Sequence, residues 1–200
     1  MSILLYFCIK NSKQMNKLFK QDVTIQAILY IIQQMGGVCD IHKCNKILYF
    51  ADNEHLSKYG RTITGDSYIK MDWGPVPSCV YDLFKAVRGE GYFASQVDDI
   101  RENYFHFINT KDIVSSRNPE MDYLSKSDVE VLDKYIAQLK DLSFSEVSEL
   151  SHGYAWSNAP KNGKISVADR LTELGDSEEY IQFIEDQLKA EESKYQSIHF

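Results

Sequence analysis

The segment YIKMDWGPVPSCVYDLF, residues 68–84, places one glycine and two prolines between an alternating apolar pattern and a helical one. Pro75 and Pro77 fix their own φ angles and push the residue before each of them toward an extended conformation. Proline is tolerated in the first turn of a helix, because its missing N–H would have no partner there. The segment therefore predicts a rigid turn, Gly74-Pro75-Val76-Pro77, that joins a strand to a helix.

Both sides of this turn have regular patterns. Upstream, Ile69 and Met71 alternate with Tyr68 and Lys70, which predicts a half-buried strand. Downstream, apolar residues recur at helical spacing and predict a helix with one face toward the core. They are Val80, Leu83, Phe84 and Val87.

Two helices are predicted before the strand. The first, DVTIQAILYIIQQMGG, begins at Asp22 and is ended by Gly36 and Gly37. The second, DIHKCNKILYFADNEHLSKYG, has Asp40 as its N-cap and Gly60 as its stop. We expect these helices to pack as an antiparallel pair.

After the turn, YFASQVDDIRENYFHFI (residues 92–108) predicts a second hairpin around an acidic connection. Ser125 with Asp128, and Ser143 with Glu146, have capping-box spacing and start two more helices. The last segment is an amphipathic, charged helix. The predicted fold class is α+β, predominantly helical: a helical domain with a small antiparallel sheet or hairpins.

The length and the charge of the chain limit the number of domains and the classes of partner that we expect. A chain of 200 residues suits one domain with an appendage. Residues 1–100 carry 11 basic and 10 acidic residues (+1), whereas residues 101–200 carry 11 and 19 (−8). This balance opposes phosphate attraction, so nucleic acid is not an expected partner. We expect the four cysteines, which are Cys8, Cys39, Cys44 and Cys79, to be reduced in a cytoplasmic protein.

The N-terminal segment SILLYFCI, residues 2–9, is the one candidate targeting signal. It has no positive region before it and no cleavage site after it, and it is too short to span a bilayer, so no membrane role is expected. We interpret residues 1–21 as a basic arm or an extra strand. Met15 offers an alternative start, so the sequence leaves open whether residues 1–14 belong to the natural protein.

Catalytic and metal sites have weak support. Cys39, His42 and Cys44 suggest zinc, but positions 42 and 44 lie about 200° apart on a helix and cannot converge on one ion. Ser151 and His152 suggest a nucleophile with a base, yet no nucleophile signature surrounds them. We expect no catalytic, metal or cofactor site, and we expect His152 to cap or pack at a helix end.

The motifs together resemble the SocA-like Panacea domain family, formerly a phage-associated domain of unknown function. The resemblance covers about residues 22–160 and divides the chain into the arm (1–21), the domain (22–160) and a C-terminal helical extension (161–200). Its elements are the KILYFA helix ending at Tyr59-Gly60, the Gly74–Pro77 turn with Tyr81 behind it, the Leu124-Ser125 helix start, and Leu150-Ser151-His152 with Trp156.

What the resemblance implies is a bacterial antitoxin rather than an enzyme. Members bind and neutralise a toxin protein, usually encoded by the adjacent gene. One member instead acts as a protease adaptor that delivers its toxin to a Clp-type protease, which is the alternative function here. Neither the toxin nor the stoichiometry can be derived from the sequence.

Candidate partner-binding residues are of two kinds. Trp73 and Tyr81 flank the rigid turn, where aromatic side chains serve either the core or an interface. Acidic residues of the last helix could attract a basic toxin or form a plain solvated face; they are Glu178, Glu179, Glu185 and Asp186. An architectural role is expected for Gly74, Pro75, Val76, Pro77, His152 and Trp156.

Overall fold

The computed structural model describes residues 18–91 and 94–198 of the chain. These ranges contain nine α-helices and five short strands, so the predicted α+β, predominantly helical class is confirmed. The helices are α1 (Gln21–Gln34), α2 (Ile41–Tyr59), α3 (Ser78–Val87), α4 (Asp98–Asn103), α5 (Lys126–Leu139), α6 (Phe144–Leu150), α7 (Tyr154–Asn158), α8 (Val167–Leu174) and α9 (Glu178–Ile198). The strands are β1 (Val38–Asp40), β2 (Tyr68–Met71), β3 (Gly74–Pro77), β4 (Phe105–Phe107) and β5 (Asp112–Ser115). Of the helices in these ranges, none is long and apolar enough to cross a bilayer.

Helix α2 lies at the centre of the fold and contacts α1, α5, α6, α8 and β3. Its start and end follow the predicted signals. The Asp40 carboxylate accepts a hydrogen bond from the His42 N–H at 2.7 Å, and Gly60 ends the helix with a φ of +69°. Because neighbours surround α2, buried residues occur on nearly all its sides, including Lys46 and His55.

Strands β1, β5 and β4 form a three-stranded antiparallel sheet in that order. The predicted second hairpin is wrong in its pairing: β4 pairs with the downstream strand β5, with Phe105 opposite Ser115, and residues 98–103 form helix α4. Asp98 and Asp99 lie in the first turn of α4, where carboxylates favour helix over strand because of the backbone dipole. Residues 92 and 93 of that prediction lie outside the described residues.

Strands β2 and β3 form a separate antiparallel hairpin. The segment predicted as a turn, Gly74–Pro77, is itself strand β3, and the turn is the preceding pair Asp72-Trp73. Strand β2 also buries Tyr68 completely, while Ile69 and Met71 are only partly buried. The extended conformation that proline favours explains the strand. Among the described residues β3 pairs with β2 alone, as suits a segment in which two residues have no N–H group.

A long-range contact starts helix α3. Its N-cap, Pro77, has no side chain that can accept a hydrogen bond. The buried Asp66 carboxylate takes that role instead, accepting from the N–H groups of Cys79 at 2.9 Å and Val80 at 3.0 Å. Burial raises the pKa of Asp66 to about 7. The chain before the hairpin and the helix after it are thereby joined.

Helices α5 and α6 start as predicted. Both capping boxes are formed, by Ser125 with Asp128 and by Ser143 with Glu146. The predicted charged helix of the last segment is confirmed as α9. A further short helix, α8, precedes it and is ended by Gly175, with a φ of +85°. The domain boundaries remain a prediction, and most of the N-terminal arm lies outside the described residues.

The cysteines differ in state. Cys39 and Cys44 are free and buried, as expected of reduced thiols. Cys79 is disulfide-bonded, so the expectation of a reduced thiol is wrong at this position. Cys8 lies outside the described residues.

Candidate protein-interaction site

Trp73 projects from the turn of the β2–β3 hairpin and is 64% exposed, which is unusual for so large an apolar side chain. Its ring packs edge-on against Phe144 at the start of α6, with 5.5 Å between ring centroids. Phe144 is itself 48% exposed and lies 4.1 Å from the ring of His42. We call these three side chains, Trp73, Phe144 and His42, the hairpin surface.

The hairpin tip is held by side chains from two helices. The Trp156 indole N–H donates to the carbonyl oxygen of Met71 at 3.0 Å. Nε2 of His42 lies 3.3 Å from the carbonyl oxygen of Trp73 and 3.1 Å from Oγ of Ser148. Since these contacts fix the backbone on both sides of the turn, Trp73 is presented on a rigid support.

Lys70 links strand β2 to the end of helix α7 through hydrogen bonds. Its Nζ donates to the carbonyl oxygens of Ser157 and Ala159, both at 3.0 Å, and lies 4.4 Å from the centre of the Trp156 ring. The His152 ring stacks on Trp156 with 3.9 Å between centroids. A cation, an indole and an imidazole thus pack together beside the hairpin.

Beneath the hairpin, Lys46 is fully buried, and its Nζ donates to the carbonyl oxygen of Pro75 at 2.7 Å. Burial lowers the pKa of Lys46 to about 7, because removing an ammonium group from water disfavours its charged form. At neutral pH the neutral amine is therefore far more favoured than it would be for an exposed lysine. The hairpin rests on a group whose charge depends on pH.

Gly74 allows this close packing. Its φ is +95°, a region that side chains with a Cβ rarely adopt. A Cβ at this position would also lie 2.2 Å from Oγ of Ser151 and 2.9 Å from Nζ of Lys46. Both the backbone conformation and the space therefore require glycine.

The two histidines near the hairpin favour their neutral forms. The pKa of His42 is lowered by burial and next by the charge of Lys46, and the pKa of His152 is lowered by burial and then by Lys46 and Lys70. Nε2 of His152 is buried and has no hydrogen-bond partner among the described residues. At neutral pH the hairpin surface is consequently aromatic and mostly uncharged.

The structure separates the predicted partner-binding residues. Trp73 lies in the hairpin surface, whereas Tyr81 is partly buried on α3 with Nζ of Lys85 5.1 Å from its ring centre. The acidic residues lie on α9: Glu178, Glu179 and Asp186 are exposed, and Glu185 is partly buried. The predicted residues therefore lie in three places: the hairpin surface, helix α3 and helix α9.

Sequence reasoning missed three residues of the site. Phe144 directly follows the Ser143 cap, so the sequence pattern there indicates a helix start and gives no sign of a contact with Trp73. His42 was considered for metal binding, but its imidazole lies against Trp73, while Cys39 and Cys44 contact each other. Lys46 did carry a signal, since it stands directly before the apolar run at residues 47–51 of the same helix.

One comparison with known proteins gives a match over part of the chain. Residues 44–157 match the protein-family model described as "Antitoxin SocA-like, Panacea domain". This segment includes the hairpin, Lys46, α6 and Trp156. No curated protein and no solved structure matches the chain. Since the family match covers more than half of its residues, this chain belongs to the SocA-like Panacea antitoxin domain family.

Proposed function

We propose that this chain is the antitoxin of a bacterial toxin–antitoxin system and neutralises a toxin protein by binding it directly in the cytoplasm. The hairpin surface is the proposed contact. The toxin is expected to be the product of the adjacent gene, and neutralisation is expected to be steric, by covering the toxin's active site. The observation that carries the proposal is the exposed Trp73 on its fixed hairpin.

Trp73 has the properties of an interface anchor. Tryptophan is enriched among the residues that dominate binding energies, since it supplies a large contact area and few rotatable bonds. Here the backbone around it is already fixed by Trp156 and His42, so binding would cost little further ordering. Phe144 extends the apolar area beside it.

Binding rather than catalysis is proposed because the reactive side chains near the hairpin have structural contacts. The hydroxyl of Ser151 donates to the carbonyl oxygen of Ser148 at 2.8 Å, and the His152 ring stacks on Trp156. The amine of Lys46 holds the hairpin through Pro75. Each group thus has an architectural use at this site.

Co-expression with the adjacent gene product tests the proposal. The wild-type chain should relieve the toxicity of that product, and the two should co-purify. Trp73→Ala should weaken the complex by roughly 30-fold or more, as expected for a loss of about 2 kcal/mol at an anchor. Tyr123→Ala is the matched control, because Tyr123 is an aromatic residue 45% exposed on another segment.

The outcomes separate the alternatives. A wild-type chain that neither binds nor protects against the neighbouring product contradicts the proposed function. Equal affinities of the Trp73→Ala and Tyr123→Ala variants would remove the hairpin surface from the interface. A toxin that disappears only when a Clp-type protease is present would replace steric neutralisation with the adaptor mechanism.

A further inference from the structure

Helix α9 is attached to the domain by one face. Ile184 on this face is fully buried and packs with Leu56 and Leu171. The Tyr180 hydroxyl donates to the carbonyl oxygen of Ser57 at 2.8 Å, at the end of α2. The inner face of α9 is therefore covered, and only its outer face is available to a partner.

The outer face carries an exposed aromatic residue between carboxylates. Phe183 is 61% exposed, and Glu179 and Asp186 lie one helical turn before and after it on the same side. Counted over all sides of the helix, residues 178–198 contain six acidic and two basic residues, a net −4 out of −7 for the whole chain. One of the basic residues, Lys189, lies 3.5 Å from the Asp186 carboxylate. An exposed phenyl ring beside carboxylates matches a surface with an apolar pocket and a positive rim.

We propose that the outer face of α9 is a second docking surface, which takes a basic protein surface with Phe183 in an apolar pocket. This inference rests on the proposed function, because the occupant is the same toxin. The α9 face lies outside the family match at 44–157, so it would set the choice of partner for this chain. Trp73 and Phe144 of the hairpin surface, which lie inside that match, provide the other contact.

The carboxylates and the ring have different kinetic effects. Charges at the rim of an interface act over distance and mainly raise the association rate, an effect that salt screens. A buried aromatic anchor acts only after contact and mainly slows dissociation. Substitution of Glu179 and Asp186 should therefore change mainly the association rate, whereas substitution of Phe183 should change mainly the dissociation rate.

The experiment measures association and dissociation rates of the purified adjacent gene product with the full chain, at low and high ionic strength. The double variant Glu179→Lys, Asp186→Lys should slow association at low salt by about tenfold and lose that effect at high salt. Phe183→Ala should raise the dissociation rate by about tenfold with little change in association. Thermal unfolding checks that each variant stays folded.

A matched control carries the same change in net charge elsewhere. Glu102→Lys with Asp122→Lys alters two exposed carboxylates on other segments, and it should leave association within about twofold of the wild type. Equal slowing by both double variants would show that only net charge matters and would overturn the docking surface.

Failure of this inference is distinguishable from failure of the proposed function. If the α9 variants bind as the wild type does while Trp73→Ala loses binding, the α9 proposal is wrong and the antitoxin proposal stands. Faster association after charge reversal would identify an acidic partner and also overturn the inference. A wild-type chain that does not bind the product at all contradicts both.

Discussion

The hairpin surface and the outer face of α9 expose aromatic rings in different ways. Trp73 projects from a hairpin turn. The backbone around this turn is hydrogen-bonded by the side chains of Trp156 and His42, and the buried Lys46 amine donates to the following strand. Phe183 projects from a helix that is attached along one apolar face and by the Tyr180 hydroxyl. The first surface is fixed by its own contacts, whereas the second depends on how firmly the whole helix is attached.

This difference suggests a division of roles. Trp73 and Phe144 of the hairpin surface lie inside the family match. Because the backbone around Trp73 is already held by Trp156 and His42, binding there would cost little further ordering, which suits an anchor. The α9 face lies outside the match, and helix α9 as a whole has a net charge of −4. A charged face on a separately attached helix can change between relatives without altering the central fold.

The largest expected change in stability comes from a substitution at Gly74, which would disrupt the hairpin surface but not the α9 face. Gly74→Val combines a backbone strain of about 1–3 kcal/mol with overpacking against Ser151 and Lys46. We expect the free energy of unfolding to fall by roughly 2–5 kcal/mol, measured by urea denaturation. Because the hairpin would shift, toxin affinity should fall as well.

Gly89→Val is the control, since Gly89 has a similar φ of +91° but a Cβ there would meet no atom within 4 Å among the described residues. Gly89→Val should lower the free energy of unfolding only by the backbone strain. Equal losses of stability in the two variants would show that the contacts with Ser151 and Lys46 are unimportant.

Local signals in the sequence predicted much of this architecture. The Asp40 and Gly60 ends of α2 and both capping boxes depend on residues within a few positions of each other, and all are found. The pairing of β4 with β5 and the capping of α3 by Asp66 depend on longer separations, and both were missed. Propensity alone does not identify a strand's partner.

The candidate site was predicted less completely for the same reason. Trp73 was singled out because the rigid segment around it is visible in the sequence. Its contacts with Phe144 and His42 join segments separated by 31 residues or more, so no local pattern indicates them. The burial of Lys46 likewise follows from the packing of β3 and α6 over α2.

Lys46, which supports the hairpin, should make the stability of the chain depend on pH. The pKa of Lys46 is about 7 in the folded chain and 10.5 in the reference state, so between these values the unfolded chain binds the additional proton. The free energy of unfolding should therefore rise with pH from about 7 to 10, by up to about 1.4 kcal/mol per pH unit. Below pH 7 this contribution is constant.

Lys46→Met should remove that contribution, and urea denaturation of both proteins at pH 7, 8 and 9 measures it. The measurements from pH 7 to 9 lie above the ordinary pKa of histidine, so His42 and His152, whose pKa values Lys46 lowers, contribute little to the difference between wild type and variant. Parallel pH dependences would show that Lys46 is charged in the folded state. The hairpin would then rest on a permanent cation.

The smallest expected change in stability comes from weakening the attachment of α9 to the domain. Tyr180→Phe removes the hydroxyl that donates to the carbonyl oxygen of Ser57 at 2.8 Å but keeps the ring beside Ile184 and Leu188. We expect a loss of about 1 kcal/mol, typical of one hydrogen bond. Amide hydrogen exchange should increase along α9 and stay unchanged in the hairpin, because α9 would open locally. Exchange that rises equally in both regions would mean that α9 and the hairpin open as one cooperative unit, and the division between a fixed anchor and a separately attached face would be wrong.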